Sequence, residues 1–279
     1  MNESRVKGKN IGIIGIGNIG RSLLQGLLAA AISRLSGGIF ISDIKRENLS
    51  AFEADRASNV VVCAANREVA ENADVIILAV KPPEVNMVLE EIASVMNSEK
   101  ILISVAAGVP TAVIERYLGG GKKVIRVMPN LGARVGESVT AICTGEYAGE
   151  EDEAIAKEIF HAIGAVYRVK ERDIDIITGL SGSGIAFFAM MIDALADGGV
   201  YEGLPHDVAL EIAARTALGA AKMILAGDTP SLIKQMTASP GGTTMRGLYA
   251  MEAKGVTAAV MEAVIEATKR AREISQHRT

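Results

Sequence analysis

Ile11-Gly12-Ile13-Ile14-Gly15-Ile16-Gly17-Asn18-Ile19-Gly20 is an apolar run that ends in three glycines at G-x-G-x-x-G spacing. Each of the three has a physical task. Gly15 lets the chain leave a strand in a tight turn. Gly17 lacks the Cβ that would block a pyrophosphate, and Gly20 lets the next helix pack close to a sheet. A helix starting at Asn18 aims its free N–H groups, with Ile19 and Gly20 in its first turn, at bound phosphates. The spacing alone is weak, because a plain turn has the same glycines. Its surroundings strengthen it: an apolar helix follows (Leu23, Leu24, Leu27, Leu28), and Asp43 stands roughly 20 residues downstream. The stretch predicts a dinucleotide site on a strand–turn–helix unit.

Outward from it, apolar runs alternate with helical patterns. Strands are expected at Ile11–Ile14, Gly38–Asp43, Val60–Cys63, Val75–Val80, Ile101–Val105, Val124–Met128, Ser138–Cys143 and Ala165–Val169. Helices are expected near Asn18–Ala30, Arg46–Ala54, Arg67–Asn72, Glu84–Ser94, Thr111–Leu118 and Glu150–Ile163. This rhythm predicts an α/β, Rossmann-like doubly wound, mainly parallel sheet. The early strands are near-continuous apolar runs, as strands covered on both faces should be. After Arg168 only helical patterns remain: Asp173–Gly199, Pro205–Ala226, Thr229–Thr237, Gly241–Ala253 and Val256–Gln276. Two domains are expected, residues 1–169 for the nucleotide and 170–279 all-α. The alanine-rich helices of the second offer little side-chain area per turn, so packing against a second copy is expected.

Composition narrows the function. The 279 residues are 49% hydrophobic with no Trp, and the net charge is −4. No basic stretch is interleaved with aromatics, so no nucleic-acid partner is expected. Cys63 and Cys143 lie far apart without metal-ligand spacing, and fit free thiols of a cytoplasmic protein. No metal site is expected. Met1–Lys9 is polar and too short for an export signal. The apolar run Ile185–Ile192 falls well short of the ~20 residues of a membrane span, so no membrane partner is expected.

Four loops follow strand ends, the edge where open α/β sheets bind ligands. The glycine loop is the first. In the second, Asp43 is placed to accept hydrogen bonds from the adenosine ribose, which favours NAD(H); Lys45 and Arg46 pull toward a 2′-phosphate. The third is Ala79-Val80-Lys81-Pro82-Pro83, where the prolines stop the strand and Lys81 is placed to reach the cofactor or a carboxylate. The fourth, Ala106-Ala107-Gly108-Val109-Pro110, is small enough for close approach of the nicotinamide ribose. In the helical half, Thr178–Gly184 carries three glycines, each costing ~1 kcal/mol in a helix interior. They call for close contact with a ligand or another backbone. Ser239-Pro240-Gly241-Gly242-Thr243-Thr244 is sharper: Ser239 as cap, Pro240 in the first turn and exposed N–H groups form an anion site. His161, His206 and His277 have no metal spacing. Asp193 and Asp197 share a helix face, and the charged tail Lys269–Arg278 reads as a solvated helix end.

The chain resembles the pyrroline-5-carboxylate reductase family from Gly12 to about Glu273. The resemblance is carried by Gly15–Gly20, Leu78–Pro82, Ser104–Val109, Val124–Asn130, Thr178–Gly184, Asp193–Gly199 with Gly203-Leu204-Pro205, Gly219–Met223 and Ser239–Thr244. It implies a C-terminal dimerisation domain and a homodimer or larger homo-oligomer. It also implies hydride transfer from NAD(P)H to the C=N carbon of 1-pyrroline-5-carboxylate, giving L-proline. By the same resemblance Ser239, Gly241, Gly242 and Thr243 hold the substrate carboxylate, with Ser183 and Gly184 beside the substrate. Thr244 bonds the ring nitrogen and Asn66 approaches the adenosine. The chain departs from the family pattern at Asn130-Leu131-Gly132, at Ile185 and Phe187, and at Asp43. The departures at Leu131, Gly132, Ile185 and Phe187 support an alternative, a paralogue reducing another cyclic imine or a small oxo or hydroxy acid, while Asp43 bears on the choice of cofactor. A nucleotide sensor without turnover is the non-enzymatic alternative, and the intact Ser239–Thr244 and Lys81 argue against it.

Overall fold

In the computed structural model, residues 4–30, 37–53 and 59–276 are described; Met1, Ala54, His277 and Arg278, named above, lie outside them. The described chain divides into two compact units. Unit one runs to Gly182 and resumes from Ala267 onward; unit two is Ser183–Glu266.

Unit one holds a single eight-stranded sheet: β1 (Asn10–Ile14), β2 (Gly38–Ser42), β3 (Val60–Val62), β4 (Val75–Leu78), β5 (Ile101–Ser104), β6 (Lys123–Met128), β7 (Ser138–Thr144) and β8 (Gly164–Arg168). Their order is β3-β2-β1-β4-β5-β6-β7-β8. Every neighbouring pair is parallel except β6 and β7. The strand order reverses beside β1, which opens a crevice at the carboxyl ends of β1 and β4.

Residue alternation explains why the strands read as unbroken apolar runs. Ile11 and Ile13 of β1, Ile39 and Ile41 of β2, and Val75 and Ile77 of β4 face one side. There they pack on Leu23, Leu24 and Leu27 of α1 (Asn18–Ala29) and Ile155, Ile159 and Phe160 of α5 (Glu150–His161). Ile14, Ile76, Leu78 and Leu102 face the other side. They pack on α2 (Asn66–Asn72), α3 (Val85–Ile92) and α4 (Thr111–Tyr117) through Val69, Val85, Leu89 and Ile114. Successive side chains point to opposite faces, so strands covered twice, such as β1 and β4, are apolar at nearly every position.

The expected helix over Arg46–Ala54 is a 3-10 turn, Arg46–Asn48, followed by one helical turn, Ser50–Glu53. The expected long helix from Asp173 is broken. A turn Ile174–Ile177 runs into a π-helical segment, Thr178–Gly182, before α6 (Gly184–Tyr201) begins. Its glycines cost this segment least, and π-turns concentrate at functional sites. Within the helical stretch Glu171–Tyr201 an 18-residue window has mean hydropathy 1.5, so by length and composition alone it is long and apolar enough to cross a membrane, although Ile185–Ile192 alone is too short.

Unit two contains α6, α7 (His206–Leu225), α8 (Pro230–Thr237), α9 (Thr243–Ala253) and the first half of α10 (Val256–Gln276). Its small core is Ala196, Ala209 and Ala213 with Ile192 against them. The end of α10 belongs to unit one. There Thr268 and Ala271 are buried, and the Ser275 hydroxyl donates to Asp175 Oδ1 at 3.0 Å. The tail is therefore a packing element in its described part, not a solvated end, because Ala271 and Ile274 punctuate its charges on one face.

Candidate active site

A cavity of about 640 Å³ lies at the carboxyl edge of β1–β4. Gly15, Gly17, Asp43, Lys45, Asn66, Ala79 and Lys81 all line it, so three of the four expected loops converge there, joined by the Ala64–Asn66 loop after β3. Asn18, Ile19, Gly20, Pro82 and Ala106–Gly108 are not among its lining residues, nor is Arg46. Residues the sequence reading passed over also line it: Asn48, Arg67, Glu84, Met87 and Glu91. Their helical positions give no local signal, since a charged residue at a helix start looks like any solvated one.

The glycine loop fits a pyrophosphate. Gly15 has φ +96°, a left-handed conformation that side chains resist, and a Cβ there would lie 2.7 Å from the Ala79 carbonyl oxygen. A Cβ on Gly20 would collide with the Gly15 carbonyl oxygen, so α1 packs against the loop itself. A Cβ on Gly17 meets nothing within 4 Å: the space beside it is open. Gly17 is the N-cap of α1 and supplies no side-chain cap, which leaves the first-turn N–H groups for a ligand.

Asp43 does more than the sequence shows. Its Oδ2 accepts the Ile16 N–H at 2.6 Å and its Oδ1 accepts the Lys45 N–H at 2.7 Å. The carboxylate thus ties the β2 loop to the glycine loop at the wall of the cavity it lines. Asn66 is fixed from both ends: its Oδ1 accepts the Ser42 hydroxyl at 2.8 Å and its Nδ2 donates to Glu91 Oε2 at 2.7 Å. The Lys81 N–H donates to Glu84 Oε2 at 3.2 Å, which sets the start of the Pro82–Glu84 turn, and both residues line the cavity.

Beside the π-helical segment, Asn130 is a buried joint. Its Nδ2 donates to Ser181 Oγ at 2.9 Å, and its Oδ1 accepts the Gly132 N–H at 3.0 Å. Both cysteines are poor nucleophiles. Burial first, and the Glu68 carboxylate second, push the Cys63 thiol up to about 11. Burial and then Glu171 push Cys143 up to about 12, so both stay protonated near neutral pH.

Within unit two, Ser239–Thr244 differs from the expected cap. The Gly242 N–H donates to the Ser239 carbonyl at 2.9 Å, and Gly241 has φ +67°. Pro240 and Gly241 form a turn before the helix. Gly242 is the N-cap of α9, and no side chain caps it. Ser239 is not the cap because two glycines delay the helix to Thr243. Its Oγ instead lies against Gly242, where a Cβ would collide with it. The result is a hydroxyl and uncapped helix N–H groups at one spot, with Thr243 and Thr244 in the first turn. Such a spot suits a carboxylate. Ser183 precedes α6 as its N-cap and Gly184 is buried.

Two family models match the chain. The model for pyrroline-5-carboxylate reductase dimerisation covers residues 171–274. The model for NADP oxidoreductase, coenzyme F420-dependent, covers residues 10–108. The pyrroline-5-carboxylate reductase of Methanosarcina acetivorans is 42% identical over 97% of this chain and 100% of its own. That of Escherichia coli is 37% identical over 96% of this chain and 99% of its own. Among solved structures, the pyrroline-5-carboxylate reductase of Coxiella burnetii superposes with TM-score 0.89 at 32% identity, covering 96% of this chain and 99% of that one. The Plasmodium falciparum pyrroline carboxylate reductase with NADP bound gives TM-score 0.84 at 29% identity, covering 97% and 99%.

Proposed function

Because this chain belongs to the pyrroline-5-carboxylate reductase family, an oxidoreductase that carries hydride from NAD(P)H to the C=N carbon of 1-pyrroline-5-carboxylate in proline biosynthesis, we propose the following division of labour among its residues. The N–H groups of the glycine loop and α1, from Gly15 to Gly20, hold the pyrophosphate. Asp43 and Lys45 meet the adenosine ribose, Asn66 the adenine side, and Ala79, Lys81 and Pro82 the middle of the cofactor. Ala106, Ala107 and Gly108 take the nicotinamide ribose. Ser239, Gly241, Gly242 and Thr243 hold the substrate carboxylate, with Ser183 and Gly184 shaping the pocket. Thr244 donates a hydrogen bond to the ring nitrogen.

The observation that carries the substrate half is the uncapped start of α9 with the Ser239 hydroxyl against it. The chemistry asks for little more. An imine hydrogen-bonded at nitrogen is already electrophilic, so the protein must orient it and needs no covalent nucleophile. The test is oxidation of NADH and of NADPH by the purified protein with 1-pyrroline-5-carboxylate. A folded protein without turnover on either would sink this division.

NADH is the proposed preferred form. Asp43 sits where a 2′-phosphate would meet its carboxylate. Asp43→Ser is expected to raise the NADPH-to-NADH ratio of kcat/KM by roughly tenfold, the size of one charge–charge term near a surface. Lys45 and Arg67 remain in the cavity to receive the phosphate. NADH turnover falls as well, since the variant loses the tie to Ile16. A ratio that moves toward NADH refutes the reading.

The protein is proposed to be a soluble, cytoplasmic homodimer or larger homo-oligomer. Unit two exposes large apolar side chains, Phe188 at 62% and Tyr249 at 76% among them. Patches of that kind mark an interface. A second copy, rather than lipid, is the occupant that the matched dimerisation model favours for the apolar stretch up to Tyr201. Light scattering after gel filtration is expected to give a multiple of the 29.2 kDa chain; a monomer would refute it.

A further inference from the structure

Arg126 on β6 is 4% exposed, a cation sealed inside unit one. A buried charge is costly unless it is paired. Its two partners lie just before the π-helical segment: Glu171 Oε1 at 3.6 Å and Asp175 Oδ1 at 3.7 Å. Neither acid stops at the arginine. Glu171 Oε1 accepts the Thr111 N–H at 2.7 Å, and its Oε2 accepts the Thr111 hydroxyl at 2.9 Å. Thr111 opens α4, directly after the Ala106–Pro110 loop. The N-cap there is Pro110, which has no side-chain acceptor, so Glu171 does the work of a cap from sixty positions away. Asp175 accepts the Ser275 hydroxyl at 3.0 Å. The neighbouring Ile274 backs the same loop: a Cβ on Gly108 would lie 2.7 Å from Ile274 Cγ2. The loop is thus pinned at its exit by Glu171 and pressed from behind by the last turn of α10, and Arg126 holds both acids.

We propose that Glu171, held in place by Arg126, is a positioning residue for the hydride transfer, fixing the Ala106–Pro110 loop through the double bond to Thr111. The proposal rests on reading that loop as the contact of the nicotinamide ribose. Glu171 does not touch the reacting atoms. It sets the backbone against which the nicotinamide end is aligned, and misplacement of about 1 Å at such a point costs up to roughly a hundredfold in rate.

Glu171→Ala removes the bond to Thr111 and leaves Arg126 with Asp175. It is expected to lower kcat about tenfold while leaving the Kd of ADP within about twofold of wild type. ADP reports the adenosine and pyrophosphate half alone. Glu171→Gln keeps the shape and one acceptor, serves as the test should the alanine variant fail to fold, and is expected to lose only about threefold. Wild-type kcat in both variants overturns the proposal. So does a loss of ADP affinity in step with the loss of kcat, which marks a general structural role. Ala107→Leu, inside the loop, separates the layers. Wild-type kcat in that variant overturns the placement of the nicotinamide and this proposal with it. An impaired Ala107→Leu enzyme beside wild-type-like Glu171 variants overturns the role of Glu171 alone.

Discussion

Gly20→Ala is expected to weaken NAD(P)H binding by about a hundredfold or more, on the order of 3 kcal/mol. The new Cβ has nowhere to go. It would collide with the Gly15 carbonyl oxygen and lie 3.3 Å from Ala79 Cβ. The first of these is backbone in a turn already committed to φ +96° at Gly15. The collision is relieved only if α1 draws away from the loop. That movement takes the helix N–H groups off the place where the phosphates sit. Leu23, Leu24 and Leu27 keep α1 anchored by their burial, so the protein is expected to stay folded. Fluorescence titration with NADH measures the effect, with circular dichroism to check the fold. A Kd within about threefold of wild type would remove the close packing of Gly20 from the account of cofactor binding.

Thr244→Ala is expected to lower kcat/KM for 1-pyrroline-5-carboxylate by ~10–100-fold, about one to three kcal/mol for leaving the ring nitrogen without its donor. Thr244 sits in the first turn of α9, beside the N–H groups proposed to hold the carboxylate. Its hydroxyl is too weak an acid to give up a proton near neutral pH, so its work is donation of a hydrogen bond that strengthens as the nitrogen gains electron density. The loss should therefore fall mainly on kcat. Thr244→Ser keeps the donor and is expected to recover most of the rate. Unchanged kinetics in the alanine variant would take Thr244 out of the site.

Much of unit one is legible in the sequence because burial on both faces leaves β1 and β4 almost wholly apolar. Ile11 and Ile13 serve one helix layer while Ile14 serves the other, and the run reads as strand without ambiguity. Gly12 carries a further signal: a Cβ there would press on Val69 Cγ1 at 2.6 Å, so α2 packs unusually close to β1. Strand direction is not written in apolar runs. The reversal of β7 was legible only in the connector from Met128 to Ser138, which is too short for the crossover that a parallel neighbour needs. The cofactor cavity was legible through its strand-end loops, yet its helical lining, Arg67, Glu84 and Glu91, was not. Asp43 is legible as an acid, but its bond to Ile16 depends on two loops meeting and has no local trace. The Ser-Pro-Gly-Gly sequence imitates a capped helix start, and only the left-handed Gly241 shows that the helix waits for Thr243. The Thr111–Glu171 pair lies beyond any periodicity, because its two ends belong to different elements.

Unit one is interrupted: the chain leaves it after Gly182 and returns from Ala267 onward. A ribosome delivers the sheet, the glycine loop and Asp43 early, but the turn that presses on Gly108 only after all of unit two. Domains otherwise tend to fold in the order in which they are made. Here the nascent cofactor half stays unfinished until the helices proposed to form the interface exist.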